Sequence, residues 1–398
     1  MRFKVAKRDL DAALNVVGGS LSSSGSDIST HFLFRVVDPP EEGDDYGVEV
    51  LTYSGRIFSS CPLIASVKDV PDDGKKAFTV EAKRLKQWLN HVADAALEFT
   101  LDGVEVVAKA PKGKQTFQSL DPDSFPFWDK MLQKAEVKAT LPADRMSAAL
   151  SYSKLFASDR ESSHPELCVC EVRPAEVDDD GNITKEGGIL YSTDKKAVTL
   201  IRVEGLSESA MRIHAKDSGG FLSFLGTFDG TDVEVLEHPR SLIFRRRDGA
   251  VFGETRFQTG FPGLNIKMDD ADQHQWVLSK DEVTEAIGFL VSGAAWEDNR
   301  LRFKPGKTEG KVILSMASVT GKTTELELDA IEMSVIEDAP EVPTEGFAID
   351  HFCLAKVLNW WKDDALRVGI SIMGNRGYVR FVVEQGNDKY LTIIAWMR

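Results

Sequence analysis

Hydrophobic residues recur along this chain in one spacing that is repeated six times. In the first copy, Phe3 is followed by apolar residues two, seven and eleven positions later, at Val5, Leu10 and Leu14. A period of two predicts a short strand, and the wider spacing that follows predicts one face of a helix. The remaining copies have the same form, although two glycines disturb the register of the one at Ile213; they begin at Phe78, Ala139, Ile213, Trp276 and Phe347.

The positions of these copies indicate the domain organisation. Copies begin at residues 3, 139 and 276, and alternate with copies that begin at 78, 213 and 347. The repeating unit is therefore a pair of copies about 135 residues long. We predict three similar domains, 1–134, 135–272 and 273–398, each with two helices. The alternative is a set of unrelated helices that share an amphipathic rhythm.

The segments between the helices alternate apolar and polar residues, as half-buried strands do. One example is the run over 233–247, which is followed by Asp248 and Gly249. An Asp-Gly pair between alternating runs is a strong hairpin signal. We therefore expect an α+β fold in which every domain combines antiparallel sheets with two helices.

Composition narrows the function without identifying it. The chain has 48 basic and 63 acidic residues, a formal charge of −15, and 42% hydrophobic residues. It is typical of a globular protein, and its acidic excess excludes one that coats nucleic acid with its whole surface. A small basic surface on an acidic body remains compatible with these numbers.

The sequence also indicates where the protein works. No stretch reaches the roughly 20 apolar residues that cross a membrane, the N-terminus has no apolar signal core, and four cysteines in 398 residues are no disulfide framework. We expect a cytoplasmic protein.

No catalytic or metal-binding pattern stands out. Two Gly-Lys-Thr triplets, at 306–308 and 321–323, lack the earlier glycine of a phosphate-binding loop. Cys168 and Cys170 have no second ligand pair at zinc spacing. The sequence thus predicts neither an enzyme nor a cofactor or metal site, and an unrecognised hydrolase is the alternative.

Several short motifs resemble the bacterial β sliding clamp, the processivity factor of DNA polymerase III. The first five residues are Met-Arg-Phe-Lys-Val, and the motif Phe-Gln-Ser-Leu-Asp-Pro-Asp-Ser-Phe-Pro spans 117–126. Tyr-Ser-Thr-Asp lies at 191–194, Gly-Phe-Pro at 260–262, and Ile-Ile-Ala-Trp-Met-Arg at 393–398. The order and spacing of these motifs agree with three domains over the whole chain. Departures from the family pattern are compatible with a phage-encoded member.

The resemblance implies the DNA clamp fold and a closed ring. Two head-to-tail subunits form a homodimer whose helices face double-stranded DNA without reading its sequence. The ring tethers DNA polymerase and clamp-loader subunits, which dock through short peptide motifs. A clamp homologue that does not encircle DNA and serves as a peptide-binding hub is the alternative.

A helix that faces DNA should bury one side and present cations on the other. In the second helix, the apolar stripe at i, i+3, i+4 and i+7 consists of Leu85, Trp88, Leu89 and Val92, and cations are prominent on the remaining surface. The expected DNA-binding residues on this and the other helices are Lys83, Arg84, Lys86, Arg145, Lys154, Lys216 and Lys356. An ordinary solvated helix face is the alternative for each of them.

The resemblance also implies a hydrophobic pocket for partner peptides. Its residues here would be Pro165, Thr193, Val198, Pro262, Ile266, Val379, Ile393, Ala395, Met397 and Arg398. The family usually has Gly-His-Arg-Leu where this chain has Lys-Lys-Ala-Val at 195–198, and Met-Pro-Met-Arg where it ends Ala-Trp-Met-Arg. We therefore expect a reshaped pocket; the alternative is that these are only core residues between two domains.

The resemblance implies that the strand around 115–120 of one subunit pairs with a helix of the other subunit, the helix predicted in the copy that begins at Trp276. The residues expected at this interface are Phe117, Leu290 and Val291.

Overall fold

The computed structural model describes the chain except residues 23–26, 40–44, 71–75, 174–175, 178–182, 186–187, 204–210, 227–231, 258–259, 264–265, 267, 295–297, 319, 375, 386–387 and 398. It divides into two compact units. The first unit comprises residues 1–148 and 205–258, and the second unit comprises 149–204 and 259–398.

Six of the helices in the described residues follow a strand directly or after a tight turn, as the repeated spacing predicts. The seventh is α3, a single turn near the end of the first predicted domain. The helices are α1 (Lys7–Gly18), α2 (Ala82–Asn90), α3 (Asp129–Leu132), α4 (Ala143–Ser153), α5 (Ser218–Gly226), α6 (Lys280–Gly293) and α7 (His351–Trp360).

Strands make up most of the remaining structure. They are β1 (Arg2–Ala6), β2 (His31–Val37), β3 (Gly47–Tyr53), β4 (Ile57–Leu63), β5 (Ala65–Asp69), β6 (Ala77–Glu81), β7 (Ala96–Asp102), β8 (Glu105–Ala110), β9 (Gly113–Gln118), β10 (Glu136–Pro142), β11 (Val169–Arg173), β12 (Glu176–Val177), β13 (Ile183–Lys185), β14 (Ile189–Thr193), β15 (Ala197–Arg202), β16 (Met211–His214), β17 (Asp232–His238), β18 (Ser241–Arg246), β19 (Val251–Thr255), β20 (His274–Ser279), β21 (Arg300–Pro305), β22 (Lys311–Ala317), β23 (Thr323–Val335), β24 (Phe347–Asp350), β25 (Ala365–Met373), β26 (Arg376–Gln385) and β27 (Asp388–Ala395).

The repeated apolar positions are the buried positions of the helices, which confirms the pattern as structural. Each of them is at most 8% exposed: Leu10, Leu14, Leu85, Leu89, Met146, Leu150, Phe221, Phe224, Leu225, Val283, Ile287, Leu354 and Leu358. A stripe at helical spacing places these side chains on one face, and burial of that face stabilises short helices that would be marginal alone.

Local signals fix where the later helices begin. Ser279 accepts a hydrogen bond from the Glu282 amide at 3.3 Å and caps α6, whose first turn carries Asp281 and Glu282. Asp350 accepts from the Phe352 amide at 2.9 Å and caps α7. Each helix therefore starts directly after its strand.

The first unit contains two sheets. One has the strand order β5-β1-β7-β8-β9, and the other has the order β10-β17-β18-β19-β4-β3-β2-β6. The second sheet crosses a predicted domain boundary, because β19 pairs with β4 through Val251–Ser60 and its neighbours. The helices α1 and α5 pack closely where Gly19 meets Gly220, since a Cβ on either glycine would collide with the other.

The second unit contains one extended sheet and the small β12–β13 pair. Its strand order is β11-β14-β15-β27-β26-β25-β20-β23-β22-β21-β24. This sheet also crosses a predicted boundary, because β15 pairs with β27 from Ala197–Ile394 to Arg202–Lys389. Both of these pairings between remote strands are antiparallel, and the α+β class is confirmed. The bounds of the three predicted domains stay predictions, because the extended sheet of each unit runs across one boundary.

Neither a transmembrane helix nor a metal cluster is found within the described part of the chain. None of its helices is long and apolar enough to cross a membrane. No group of three His, Cys, Asp or Glu residues there is arranged to hold a metal ion. The four cysteines are buried thiols.

Candidate nucleic-acid and peptide interfaces

The helix α2 presents a compact basic face. Its buried side consists of Ala82, Leu85 and Leu89, and Lys83, Arg84 and Lys86 are exposed. Because helical residues three and four apart share a face, the apolar stripe turns the intervening cations to solvent. The sequence therefore located this face correctly.

Two contacts hold α2 in place. The half-buried Trp88 ring meets Phe99 and Phe117 edge to face, at centroid distances of 6.5 and 6.3 Å. The Lys86 ammonium lies beside Gly18 at the C-terminal end of α1, where helix carbonyls favour a cation. The basic face is consequently built on a fixed helix.

The other four predicted DNA-binding cations are dispersed. Lys216 is exposed in the turn before α5, and Arg145 is half-buried on α4. Lys154 opens a 3₁₀ turn in the second unit, where Lys356 is half-buried on α7 with its ammonium 5.3 Å from the Phe156 ring centroid. Their role in DNA binding stays a prediction.

A second basic surface lies in the second unit. A cavity of about 460 Å³ is lined by His164 and by the cations Arg160, Lys195, Lys196 and Lys356, together with Asp159 and Asp194. Of these cations, the sequence predicted only Lys356 as a DNA contact. The other cations lie in turns, and only tertiary packing brings those turns close to α7.

Three of the predicted peptide-pocket residues meet in one apolar cluster on the second-unit sheet. Val198 of β15 pairs with Ile393 of β27, and Ile266 packs on them from the segment 260–272. We call this group the second linker cluster, since 260–272 is the segment that leads from the second predicted domain into the third. Its buried members are Ile189, Leu200, Met268, Leu391 and Ile393, and its half-buried members are Tyr191, Val198, Ile266, Tyr378 and Val382.

Ala395 and Val379 lie on different faces of this sheet. Ala395 follows Ile393 by two residues, shares its face and is exposed. Val379 pairs with Ile394, is fully buried, and therefore points away from Val198 and Ile393. The prediction that Val379 lines the same pocket is corrected, because the pleat assigns neighbouring residues to opposite faces.

The remaining predicted pocket residues shape the surroundings. Thr193 is buried; its hydroxyl donates to the Ala197 carbonyl at 2.7 Å and accepts from the Lys195 amide at 3.1 Å. The Pro262 carbonyl accepts from Arg173 at 3.0 Å, and the Met397 amide donates to the Ala348 carbonyl at 2.7 Å. Pro165 begins a 3₁₀ turn at 165–167, whereas Arg398 lies outside the described residues.

An ion pair that sequence reasoning missed joins the 193–197 turn to α7. The Lys196 ammonium donates to the buried Asp350 carboxylate at 2.6 Å, and Asn299 donates to the same oxygen at 2.5 Å. The hydrogen bond to Asp350 raises the pKa of Lys196. The only available signal was the position of Asp350 immediately before a predicted helix, where Asp is a frequent cap.

Two arginines fix the linker beside the second linker cluster, and both were missed. Arg380, with 2% of its side chain exposed, donates to the Met268 carbonyl at 2.9 Å and to Asp272 at 3.0 Å. Arg173 lies over the rings of Tyr191 and Phe261, at 5.1 and 5.3 Å. The sequence does not distinguish arginines that make such contacts from exposed ones on the same strands.

The predicted subunit-interface residues differ in exposure. Phe117 lies on β9, at the end of its sheet, but its side chain is buried, as is that of Leu290. Val291 is 39% exposed, and the neighbouring Phe289, which the sequence reasoning did not name, is 58% exposed. The edge strand and the exposed α6 residues are available for pairing, and the interface itself stays a prediction.

Solved structures of bacterial clamps are similar to this chain over its full length. The DNA polymerase sliding clamp from Bacillus subtilis is 14% identical, with a TM-score of 0.77 and coverage of 100% of this chain and 99% of that chain. The β subunits of DNA polymerase from Thermotoga maritima and Streptococcus pyogenes are both 15% identical, with TM-scores of 0.79. Both matches cover 100% of this chain, together with 99% of the Thermotoga chain and 100% of the Streptococcus chain.

No protein-family model and no curated protein matches the chain. The likeness is therefore one of three-dimensional structure at low identity, but it extends from end to end in both partners of each comparison. This chain has the fold of the bacterial DNA polymerase III β subunits, the sliding clamps.

Proposed function

We propose that this protein is a DNA sliding clamp that encircles duplex DNA and tethers a replicative polymerase. The observation that carries the proposal is the fold, which spans the whole chain and includes all six strand–helix copies. A clamp retains DNA by topology, so it needs only weak contacts to phosphates and no base readout.

The charge distribution supports this role. Lys83, Arg84 and Lys86 lie on one exposed helix face, while the chain as a whole carries −15. An acidic body repels DNA that approaches from the side, and a local cation face attracts it. We infer that phosphates meet α2, with further contacts from Arg145, Lys154, Lys216 and Lys356.

Partner peptides would dock at the second linker cluster. Val198, Ile266 and Tyr378 are half-buried around a buried aliphatic base, which suits an extended peptide with apolar anchors. Clamp-loader subunits would use the same surface. The Lys195–Val198 turn differs from the usual family pattern, so we expect partner peptides adapted to it.

The ring would be a homodimer in the cytoplasm, closed by β9 of one subunit and α6 of the other. The proposed role contains no catalytic step. Burial raises the pKa of Cys61 to about 11 and of Cys353 to about 12, which keeps both thiols protonated and unreactive at neutral pH.

Retention on circular DNA tests the proposal. The chain is incubated with nicked circular duplex, separated from free protein by gel filtration at raised salt, and its mass is measured by light scattering. We expect a dimer that stays on circles and is lost when a restriction enzyme linearises them. Equal retention on circular and linear DNA would contradict encirclement, and a monomer that binds only peptides would favour the non-encircling hub.

The basic face has its own test. Replacement of Lys83, Arg84 and Lys86 by Glu should weaken DNA association. The slope of the logarithm of the affinity against the logarithm of the salt concentration should become shallower by about 3. The control replaces Arg302, Lys322 and Arg367, three exposed cations outside helices, and should change neither. If both triple variants lose the same affinity, α2 has no special role.

A further inference from the structure

The first unit contains a cavity that the proposed clamp function does not use. Its volume is about 950 Å³. It lies between the ends of β2 and β6, the β7–β8 turn and the segment that follows β9. The residues that matter for its chemistry are Val37, Asp38, Lys76, Val104, Asp121, Asp123 and Phe127, with Arg35 and Asp129 at one side.

Three large apolar side chains are exposed on this one cavity. Val37 is 41% exposed, Val104 is 61% exposed and Phe127 is 44% exposed. Single exposed apolar residues are normal, but several that converge on a concave surface indicate a binding site. They come from β2, a hairpin turn and a loop, so the convergence is a product of the tertiary structure.

The charges around these apolar walls are unbalanced. Arg35 is paired with Asp129 at 2.8 Å and also with Glu49, and Lys76 is paired with Asp38 at 2.5 Å. Both cations are thus neutralised within the protein.

Asp121 and Asp123 are exposed, and neither forms an ion pair with any residue that the structure describes. The Asp121 carboxylate accepts from the Asp123 amide at 3.2 Å, which fixes the loop that carries both. The rim therefore offers two negative charges to an incoming ligand, next to an apolar wall.

We propose that this cavity docks a short segment of a partner protein in which an apolar side chain lies beside lysine or arginine. The apolar anchor packs against Val37, Val104 and Phe127, and the cationic side chains pair with Asp121 and Asp123. Nucleic acid does not fit, since its phosphates would meet a carboxylate rim. This surface lies in the first unit and is separate from the second linker cluster, so it adds a second class of partner.

The test uses two fluorescent peptides with equal apolar content, Lys-Leu-Lys-Phe-Lys and Glu-Leu-Glu-Phe-Glu. Fluorescence anisotropy with the full chain should detect binding of the cationic peptide and none of the acidic one. The variants Val104→Ser and Asp123→Lys should each weaken binding at least about tenfold. Both residues are exposed, and circular dichroism verifies that the variants fold.

Matched controls separate this site from general attraction to an acidic protein. Ile331→Ser removes an apolar side chain that is 64% exposed elsewhere, and Glu285→Lys makes the same charge change on an exposed face of α6. Both should leave binding unchanged.

Three outcomes would overturn the proposal. The first is that the cationic peptide does not bind. The second is that Glu285→Lys weakens binding as much as Asp123→Lys. The third is that Val104→Ser instead abolishes self-association of the chain, which would make the cavity an interface between copies.

Discussion

The segments that end the first two predicted domains, residues 119–134 and 260–272, pack on similar strands but leave different surfaces. We call them the first and second linkers. In the first unit, the β3–β4 hairpin and strands β17–β19 hold a group that we call the first linker cluster. Its buried residues are Leu33, Leu51, Phe58, Phe125, Trp128, Leu236, Ile243 and Val251. In the second unit, the β14–β15 hairpin and strands β26–β27 hold the second linker cluster.

Side-chain volume explains the difference between them. Phe58 pairs with Gly253, whose missing side chain leaves room for the ring, and Trp128 stacks on Phe58 at 4.4 Å. The linker itself thus fills the first cluster, and Trp128 is only 5% exposed. In the second cluster Val198 takes the hairpin position of Phe58 and pairs with Ile393, and among the described residues no tryptophan belongs to this cluster. One linker closes its cluster, whereas the other leaves half-buried side chains at the surface.

The largest expected effect comes from removing the residue that closes the first linker cluster. Trp128→Ala should lower the free energy of unfolding by about 3–5 kcal/mol, since it empties a packed site, whereas Ile266→Ala should cost about 1–2 kcal/mol. Urea unfolding followed by circular dichroism measures both. Phe127→Ala is the control and should cost less than either. Equal costs for Trp128→Ala and Ile266→Ala would show that the two clusters are filled alike.

The second-largest loss of stability is expected from replacing the arginines that contact the two linkers. Arg380→Met leaves Asp272 and buried carbonyls without their donor, and should cost about 3 kcal/mol in the free energy of unfolding. Arg35 is 22% exposed in its side chain and holds Asp129 at the surface, so Arg35→Met should cost less. Thermal unfolding compares the two. A smaller cost for Arg380→Met would contradict the idea that the second linker depends on its buried arginine.

The two linkers should respond to pH in opposite directions. Hydrogen bonds from Arg35 lower the pKa of Asp129, so its stabilising contribution is present above its ordinary value and is lost as pH falls through the lowered pKa. Burial raises the pKa of Asp272 despite Arg380, so stability is full below the ordinary value and declines as pH rises through the raised pKa.

Melting temperatures of Asp129→Asn and Asp272→Asn between pH 3 and 7 test this difference. Asp129→Asn should destabilise the protein at pH 7 and match the unmodified chain at low pH. The unmodified chain should instead melt at a lower temperature than Asp272→Asn, and this difference in melting temperature should grow as pH rises. We expect the effect of Asp129→Asn to stay within about 1 kcal/mol, since Asp129 is half exposed. Parallel pH profiles would contradict the assignment.

The smallest expected effect concerns peptide binding. An apolar peptide selected from a random library on the unmodified chain should bind Val198→Ser about 3–10-fold more weakly. Tyr53→Ser, the control at the edge of the first linker cluster, should not change binding. If Tyr53→Ser weakened peptide binding and Val198→Ser did not, the docking surface would lie in the first unit.

Sequence pattern alone predicted the six strand–helix copies, because period-two and helical spacings depend on local geometry that short windows contain. It located the exposed cations of α2 for the same reason. It did not separate Val379 from Val198 and Ile393, since pocket membership was transferred from motifs without strand register. It also missed the linker contacts of Arg380 and the ion pair of Lys196 with Asp350, because their partners lie 108 and 154 residues away.

What the sequence determined by itself is thus the repeated element order, the α+β class and an acidic chain with one basic helix face. Tertiary structure decided which apolar groups remain accessible. Phe58 and Val198 occupy equivalent hairpin positions, and only the residue brought opposite each, Gly253 or Ile393, together with the linker that packs above, determines whether the cluster is filled. Close packing depends on the volumes of side chains that meet in space, and these meetings join strands remote in the chain.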